Sequence, residues 1–245
     1  MTDRPFADRT ALVTGASRGI GRALAVALAG AGAHIVAVAR TKGALEELDD
    51  EIKALGSTAT LVPLNLVHGD KLDALGPSLY PRFPKLDMLV AAAGMLGPLS
   101  PLGHVKTEDW TRLMEVNLTA NWRLIRSLDP LLRAAPAGRA VFLTCAAARE
   151  TEAYRGPYAA SKAGLEALVR SYAAELAHTT ARANLLDPGV TRTGLRQQAF
   201  PGETPSSQPD PARLKPVVLE MLSPAFTGNG VLVEAQRHPA YGRGS

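Results

Sequence analysis

Apolar residues fall along this chain in short continuous runs that alternate with stretches of helical period. Ala11 to Thr14 is one such run, and a glycine-rich turn follows it directly. Ile20 to Ala31 then reads as a helix ending at Gly32, and His34 to Ala39 as a strand rich in Val and Ile. From Lys42 to Leu55 the apolar positions Leu45, Leu48, Ile52 and Leu55 recur at helical spacing and stop at Gly56. Thr58 to Leu64 and Leu86 to Ala92 predict strands, with a short helix expected between them in residues 69–84. Thr107 to Ala134 predicts a long helical stretch, with Thr107, Glu108 and Asp109 as a capped start. Arg139 to Cys145 predicts a strand, Pro157 to His178 a helix with Pro157 in its first turn, and Ala183 to Leu186 and Val231 to Glu234 the last strands. Strands that are apolar throughout must be covered on both faces. The alternation therefore predicts an α/β fold: a doubly wound parallel sheet of about seven strands with helices on both faces. No internal repeat and no dividing linker is visible, so residues 1–245 are expected to form a single domain.

Composition narrows the function classes more than the fold. With 46% hydrophobic and 20% charged residues, the chain has the profile of an ordinary globular protein. The net charge of +4 is not gathered into a Lys/Arg block, which argues against nucleic acid as a partner. The weakly polar run from Ala23 to Ala39 is short for a membrane span and is broken by Gly30, Gly32 and His34, so no membrane partner is expected. The polar start, Met1 to Thr10, has no apolar core of a signal peptide, and a single cysteine fits a reducing compartment, so the expected location is cytoplasmic. The five histidines show no metal-ligand spacing, and no metal is expected. Residues 201–216 hold five prolines, a loop by composition, and the wider segment 190–216 is a candidate substrate lid.

Two short segments carry chemistry. Thr14-Gly15-Ala16-Ser17-Arg18-Gly19-Ile20-Gly21 lies between the first strand and the first helix. Glycines at such a turn let backbone N–H groups approach a phosphate, and the helix N-terminus adds a favourable partial charge. Between a strand and a helix of a βαβ unit, the turn predicts a dinucleotide cradle. In dinucleotide folds an acid at the end of the second strand binds ribose hydroxyls, whereas an arginine accepts a 2′-phosphate. Here that strand ends in Val38-Ala39-Arg40, and Arg18 lies in the turn itself. Two guanidiniums and no carboxylate favour NADP (NADPH), with NAD less favoured. The second segment is Tyr158-Ala159-Ala160-Ser161-Lys162. Residues four apart share a helix face, so the spacing sets an ammonium beside a phenol and is expected to bring its pKa towards the working range.

The combination resembles the short-chain dehydrogenase/reductase family over essentially residues 9–236. Thr14 to Gly21 matches the family's TGxxxGxG turn and Tyr158 to Lys162 its YxxxK segment. Asn117 matches the asparagine that holds a proton-relay water, and Asp187-Pro188-Gly189-Val190-Thr191-Arg192-Thr193 matches the segment that contacts the nicotinamide carboxamide. The C-terminal part is further similar to a bacterial subgroup, the YciK-like oxidoreductases. The resemblance implies a Rossmann-like fold and hydride transfer between the nicotinamide and a carbonyl or alcohol substrate. It also implies a homodimer or homotetramer formed through the helices near 107–134 and 157–178. By the same resemblance Asn117, Cys145, Tyr158 and Lys162 are the candidate catalytic residues. Gly15, Ser17, Arg18, Gly19, Ile20, Gly21, Arg40, Asn65, Leu66, Ala93, Gly94, Pro188, Gly189, Thr191 and Thr193 join Tyr158 and Lys162 as candidate cofactor contacts.

The chain departs from the family pattern at three places. Cys145 stands where the family has a serine, thirteen residues before the tyrosine. A thiol is the weaker donor, so carbonyl polarisation is expected to fall. The neighbouring Thr144 should point to the opposite face and not substitute. Ala91-Ala92-Ala93-Gly94 replaces an NNAG segment that ties strands together, and Asn65 replaces an aspartate that often contacts the adenine. Cys145 also motivates an alternative, a cofactor-binding regulatory or structural protein with weak or no catalysis. The substrate side, roughly 95–103, 146–156 and 190–215, mixes Met95, Leu96, Leu99 and Phe200 with Arg149, Glu150, Glu152, Arg155, Arg192 and Arg196.

Overall fold

The computed structural model describes residues 4–243. Residues 1–3 of the polar start and the last two residues of the expected domain lie outside the described residues.

Seven parallel strands form one sheet in the order β3-β2-β1-β4-β5-β6-β7. They are β1 (Thr10–Thr14), β2 (His34–Ala39), β3 (Ala59–Pro63), β4 (Met88–Ala91), β5 (Arg139–Leu143), β6 (Arg182–Asp187) and β7 (Leu232–Glu234). The order reverses direction between β1 and β4, where Leu12 sits opposite Val36 on one side and Leu89 on the other. At such a switch point the connections leave the sheet on opposite faces and open a crevice beyond the strands' carboxyl ends.

The continuous apolar runs are buried on both sides as their pattern requires. One layer packs α1 (Gly19–Gly30), α2 (Lys42–Ala54) and α9 (Lys215–Leu222) against the sheet through Leu24, Leu28, Leu48, Ile52 and Met221. The opposite layer contains Leu72 of α3 (Gly69–Asp73), Leu75 of α4 (Leu75–Leu79), Leu124 and Leu128 of α6 (Ala120–Ala134), and Val169 of α7 (Gly156–Glu175). Phe142 of β5 is fully buried in that layer. The helix expected in 69–84 is thus two short helices.

The stretch from 107 to 134 is continuous but not uniform. It runs as α5 (Thr107–Met114), a π-helical turn at Glu115–Thr119, and then α6. Its cap residue is Lys106, and no side chain caps it, so Thr107 is the first helical residue and not the cap. The π turn inserts an extra residue and rotates Asn117 inward, a distortion that often accompanies functional positions. Periodicity also left two helices unread: α8 (Gly194–Ala199), whose six residues are too few to show a period, and α9, which follows the prolines at 201, 205, 209 and 211 and holds Pro216. Pro211 and Pro216 instead sit in the first turns of a 3₁₀ segment and of α9, where a missing N–H costs nothing.

Candidate active site

A cleft of about 1220 Å³ lies over the carboxyl ends of β1, β4, β5 and β6. It exceeds the ~300–1,000 Å³ of an ordinary small-ligand pocket, enough for a dinucleotide and a second reactant. Every residue expected to contact the cofactor lines it: Gly15, Ser17, Arg18, Gly19, Ile20, Gly21, Arg40, Asn65, Leu66, Ala93, Gly94, Tyr158, Lys162, Pro188, Gly189, Thr191 and Thr193. Residues from five separate loops and from helix α7 therefore meet along one groove.

The glycine turn is built by close approach. Gly15 has φ +67°, and a Cβ there would lie 2.9 Å from Ala93 Cα. A Cβ on Gly21 would lie 2.3 Å from the Gly15 carbonyl oxygen. The turn can pass this closely over β4 only without side chains. Thr14 then does the tying that an asparagine in the 91–94 segment would do, since its Oγ1 accepts the Ala93 N–H at 3.2 Å. Arg18 is the residue before α1 and makes no side-chain cap, and the first turn of α1 holds no acid. The opening N–H groups and the positive end of that helix therefore face the cleft without an anionic partner from their own turn. Arg18 and Arg40 are exposed at this end, and among the described residues neither makes an ion pair. Uncommitted backbone donors, a turn that admits no Cβ at Gly15 or Gly21 and two free guanidiniums fit a phosphorylated dinucleotide.

At the other end of the cleft, Tyr158 and Lys162 project from α7 as their spacing predicts. Cys145 follows β5, and its Sγ–H donates to Tyr158 Oη at 3.6 Å. Thr144 points the other way, donating from Oγ1 to Glu166 Oε1 at 2.9 Å, so its hydroxyl does not replace the thiol. Lys162 donates from Nζ to the Leu143 carbonyl at 2.9 Å and stands 6.0 Å from the Tyr158 ring centre. This differs from the expectation that the lysine would lower the tyrosine pKa. Burial pushes the Tyr158 phenol well above its ordinary value, Cys145 and Asp187 add to that, and Arg155 opposes it. Lys162 itself is pushed down by burial, with Cys145 and Asp187 resisting. The ammonium is aimed at the backbone and not at the phenol, and desolvation wins.

Asn117 is fully buried beneath the cleft and does not line it. Its Oδ1 accepts the Met95 N–H at 2.9 Å, while Nδ2 donates to the Met95 carbonyl at 2.9 Å and to Ser161 Oγ at 3.0 Å. Its backbone carbonyl accepts from Asn121 Nδ2 at 2.8 Å. The side chain thus fastens the loop after β4 to the π turn and to α7.

The space beside Tyr158 is apolar, walled by Met95, Leu96, Ala147, Leu195 and Ala199, with the fully buried Leu113 packed in the same cluster. Of the charged residues expected on this side, Glu150, Glu152, Arg155 and Arg196 do line the cleft. Arg192 instead pairs with Asp210, Arg149 turns into an ion network, and Leu99 is exposed. Phe200 lies between two guanidinium groups, 4.0 Å from Arg155 and 3.6 Å from Arg196, and Arg196 is tied to Glu203. Ala147 and Leu195 fall within the expected ranges 146–156 and 190–215, whereas sequence reasoning missed Leu113 because its helix carries no motif. It also missed Glu166, although this residue lies one helical turn beyond Lys162 on the same face.

A family model described as short chain dehydrogenase matches residues 9–204. The chain belongs to the short chain dehydrogenase family. It is 34% identical over 218 residues to the uncharacterized oxidoreductase YciK of Escherichia coli (strain K12), covering 88% of this chain and 86% of that one. The structure of a short chain dehydrogenase from Pseudomonas syringae superposes with a TM-score of 0.91 at 37% identity, over 95% of this chain and 96% of the other. Another, from Shigella flexneri 2a str. 301 and complexed with NADP, superposes with a TM-score of 0.92 at 31% identity, over 96% of this chain and all of that one, 100%. This short chain dehydrogenase is thus an oxidoreductase with a single Rossmann-like domain. Among the described residues, no helix is long and apolar enough to cross a membrane.

Proposed function

We propose that this protein is an NADP(H)-dependent reductase or dehydrogenase acting on a carbonyl or alcohol substrate. One observation carries the reading: Tyr158, Cys145 and Lys162 share a single cleft with the phosphate cradle and with the Pro188–Thr193 loop. NADP is favoured over NAD because Arg18 and Arg40 stand at the adenosine end with no carboxylate between them, and the Shigella relative was solved with NADP. When bound, the cofactor supplies or accepts the hydride.

Tyr158 holds the proton given to the carbonyl oxygen. In its buried setting it is a phenol at neutral pH, the form that reduction needs. Cys145 sits within reach of Tyr158 Oη, and with substrate bound its single S–H would turn from that oxygen to the carbonyl oxygen as a second, weaker donor. Lys162, with its ammonium anchored at Leu143, presents its remaining N–H groups to the nicotinamide ribose. Asn117, by resemblance the residue that holds the proton-relay water, fixes Met95 and Ser161 through its side chain. The segment 190–216 acts as the lid: α8 covers the cleft, and the stack of Phe200 between Arg155 and Arg196 holds it to the start of α7. The apolar wall beside Tyr158 excludes water from the reacting carbon. A homodimer or homotetramer through α5–α6 and α7 accounts for the exposed Trp110 and Trp122 on the first of these.

The test is NADPH oxidation against ketones, aldehydes and 3-oxoacyl thioesters by the native chain and by Tyr158→Phe. Loss of one acid–base group is expected to lower turnover about 10²–10⁴-fold with cofactor affinity retained. Undiminished turnover in the variant removes the mechanism.

A further inference from the structure

Three segments carry the proposed chemistry: the turn after β5 with Cys145, helix α7 with Tyr158 and Lys162, and the loop after β6 with Pro188 and Gly189. Resting on the hydride-transfer reading, we propose that Arg149 is a positioning residue that clamps these three segments together through Glu166 and Asp187. Arg149 follows Cys145 by one 3₁₀ turn, Ala146–Ala148. Its Nη1 is bonded to Glu166 Oε1, and its Nη2 reaches Asp187 Oδ2 at 2.5 Å. Glu166 lies four residues beyond Lys162 on α7, and Asp187 immediately precedes Pro188. One guanidinium therefore spans all three.

The construction is specific. Both carboxylates are almost wholly buried, with side chains only 4% and 6% exposed. Buried carboxylates need charge and full hydrogen bonding to be tolerated, and a planar guanidinium serves two at once through a fixed fork of donors that a compact ammonium lacks. The remaining acceptors are also occupied. Glu166 takes the Thr144 hydroxyl at 2.9 Å and Arg170 at 2.9 Å, and Asp187 Oδ1 takes the Gly189 N–H at 3.0 Å. That last bond shapes the turn at Gly189, where φ is +65°. Asp187 also acts electrostatically on Tyr158 and Lys162, so Arg149 shares a carboxylate with the reacting pair.

The experiment compares the native chain with Arg149→Met and Arg149→Lys. It reads kcat and KM on a carbonyl the native chain reduces, the emission change of NADPH on binding, and the affinity for adenosine 2′,5′-bisphosphate, which probes the adenosine end alone. The clamp predicts that Arg149→Met loses about 10–100-fold in kcat, the scale of an ångström-level misplacement of reacting groups. It also predicts a diminished NADPH emission change, with adenosine 2′,5′-bisphosphate affinity within about twofold of native, and an intermediate kcat for Arg149→Lys. An Arg149→Met variant that binds the bisphosphate normally and keeps native kcat overturns the proposal. Should that variant fail to fold, Arg149→Lys decides, since it keeps the charge and loses the fork: native kcat overturns the clamp, and a drop beyond about fivefold supports it. If the native chain reduces nothing, the hydride-transfer reading has failed, and NADPH emission then judges the clamp alone, with an unchanged emission in Arg149→Met overturning it.

Discussion

Replacing Cys145 with serine restores a stronger donor at the reacting oxygen. The thiol lies 3.6 Å from Tyr158 Oη, whereas a hydroxyl donor bonds best at about 2.7–2.8 Å. A strong donor at a developing oxyanion is worth about 3 kcal/mol. If the thiol already supplies about 1 kcal/mol, the level of an ordinary net hydrogen bond, serine adds about 2 kcal/mol. At 1.36 kcal/mol per tenfold, kcat/KM should rise roughly 30-fold. Cys145 is half-buried against Leu96, Leu113 and Tyr158, so the swap exchanges a little apolar packing for a hydroxyl that Tyr158 satisfies. Stability should therefore change by no more than about 1 kcal/mol. The assay is NADPH oxidation with a carbonyl that the native chain reduces, run beside thermal unfolding of both chains and of Cys145→Ala. A serine variant no faster than native refutes the reasoning. An alanine variant equal to native shows that residue 145 donates nothing to the substrate, and the cofactor-binding alternative gains.

Two further outcomes follow from the same geometry. Arg40→Ala should weaken NADPH binding by about 1–2 kcal/mol, roughly 5–30-fold, at the low end because the guanidinium is exposed and screened. NADH binding should stay unchanged, which isothermal titration with both cofactors checks, and an equal loss for both would remove Arg40 from the 2′-phosphate. Because burial raises the Tyr158 pKa, its phenol should stay protonated up to and beyond about pH 10, the ordinary tyrosine value. The ultraviolet phenolate absorbance of the free native chain minus that of Tyr158→Phe should therefore show no titration below that pH, and a step near neutrality would contradict the desolvated site.

Much of the site was legible before any folding was considered, for reasons that particular residues make plain. Gly15, Gly19 and Gly21 mark the turn because Gly15 and Gly21 pass too close to neighbouring backbone for a Cβ and Gly19 takes a positive φ, and that demand is written in residue type. Tyr158 and Lys162 reveal a shared helix face because four-residue spacing is a local property. Asn117 was found by resemblance, but its behaviour was not. The π turn that buries it and the three hydrogen bonds of its side chain depend on where Met95 and Ser161 arrive. The direction of the Tyr158 shift was misjudged for a related reason. Spacing puts Lys162 beside Tyr158, whereas only the packed structure aims its ammonium at the Leu143 carbonyl.

The division between the two levels is physical. Alternating apolar strands and helices, the glycine turn, the arginine at the end of β2 and the Tyr–Lys spacing are short-range patterns, and the sequence by itself determined from them a doubly wound sheet and the places where a dinucleotide and a reacting pair are expected. Tertiary structure alone decided that Arg149, Glu166 and Asp187 form one buried network, that Thr144 faces away from Tyr158 while Cys145 faces it, and that Phe200 is stacked between Arg155 and Arg196. Those groups are separated by up to dozens of residues along the chain. Their meeting is set by the order and register of β5, β6 and α7, through long-range packing that no local periodicity encodes.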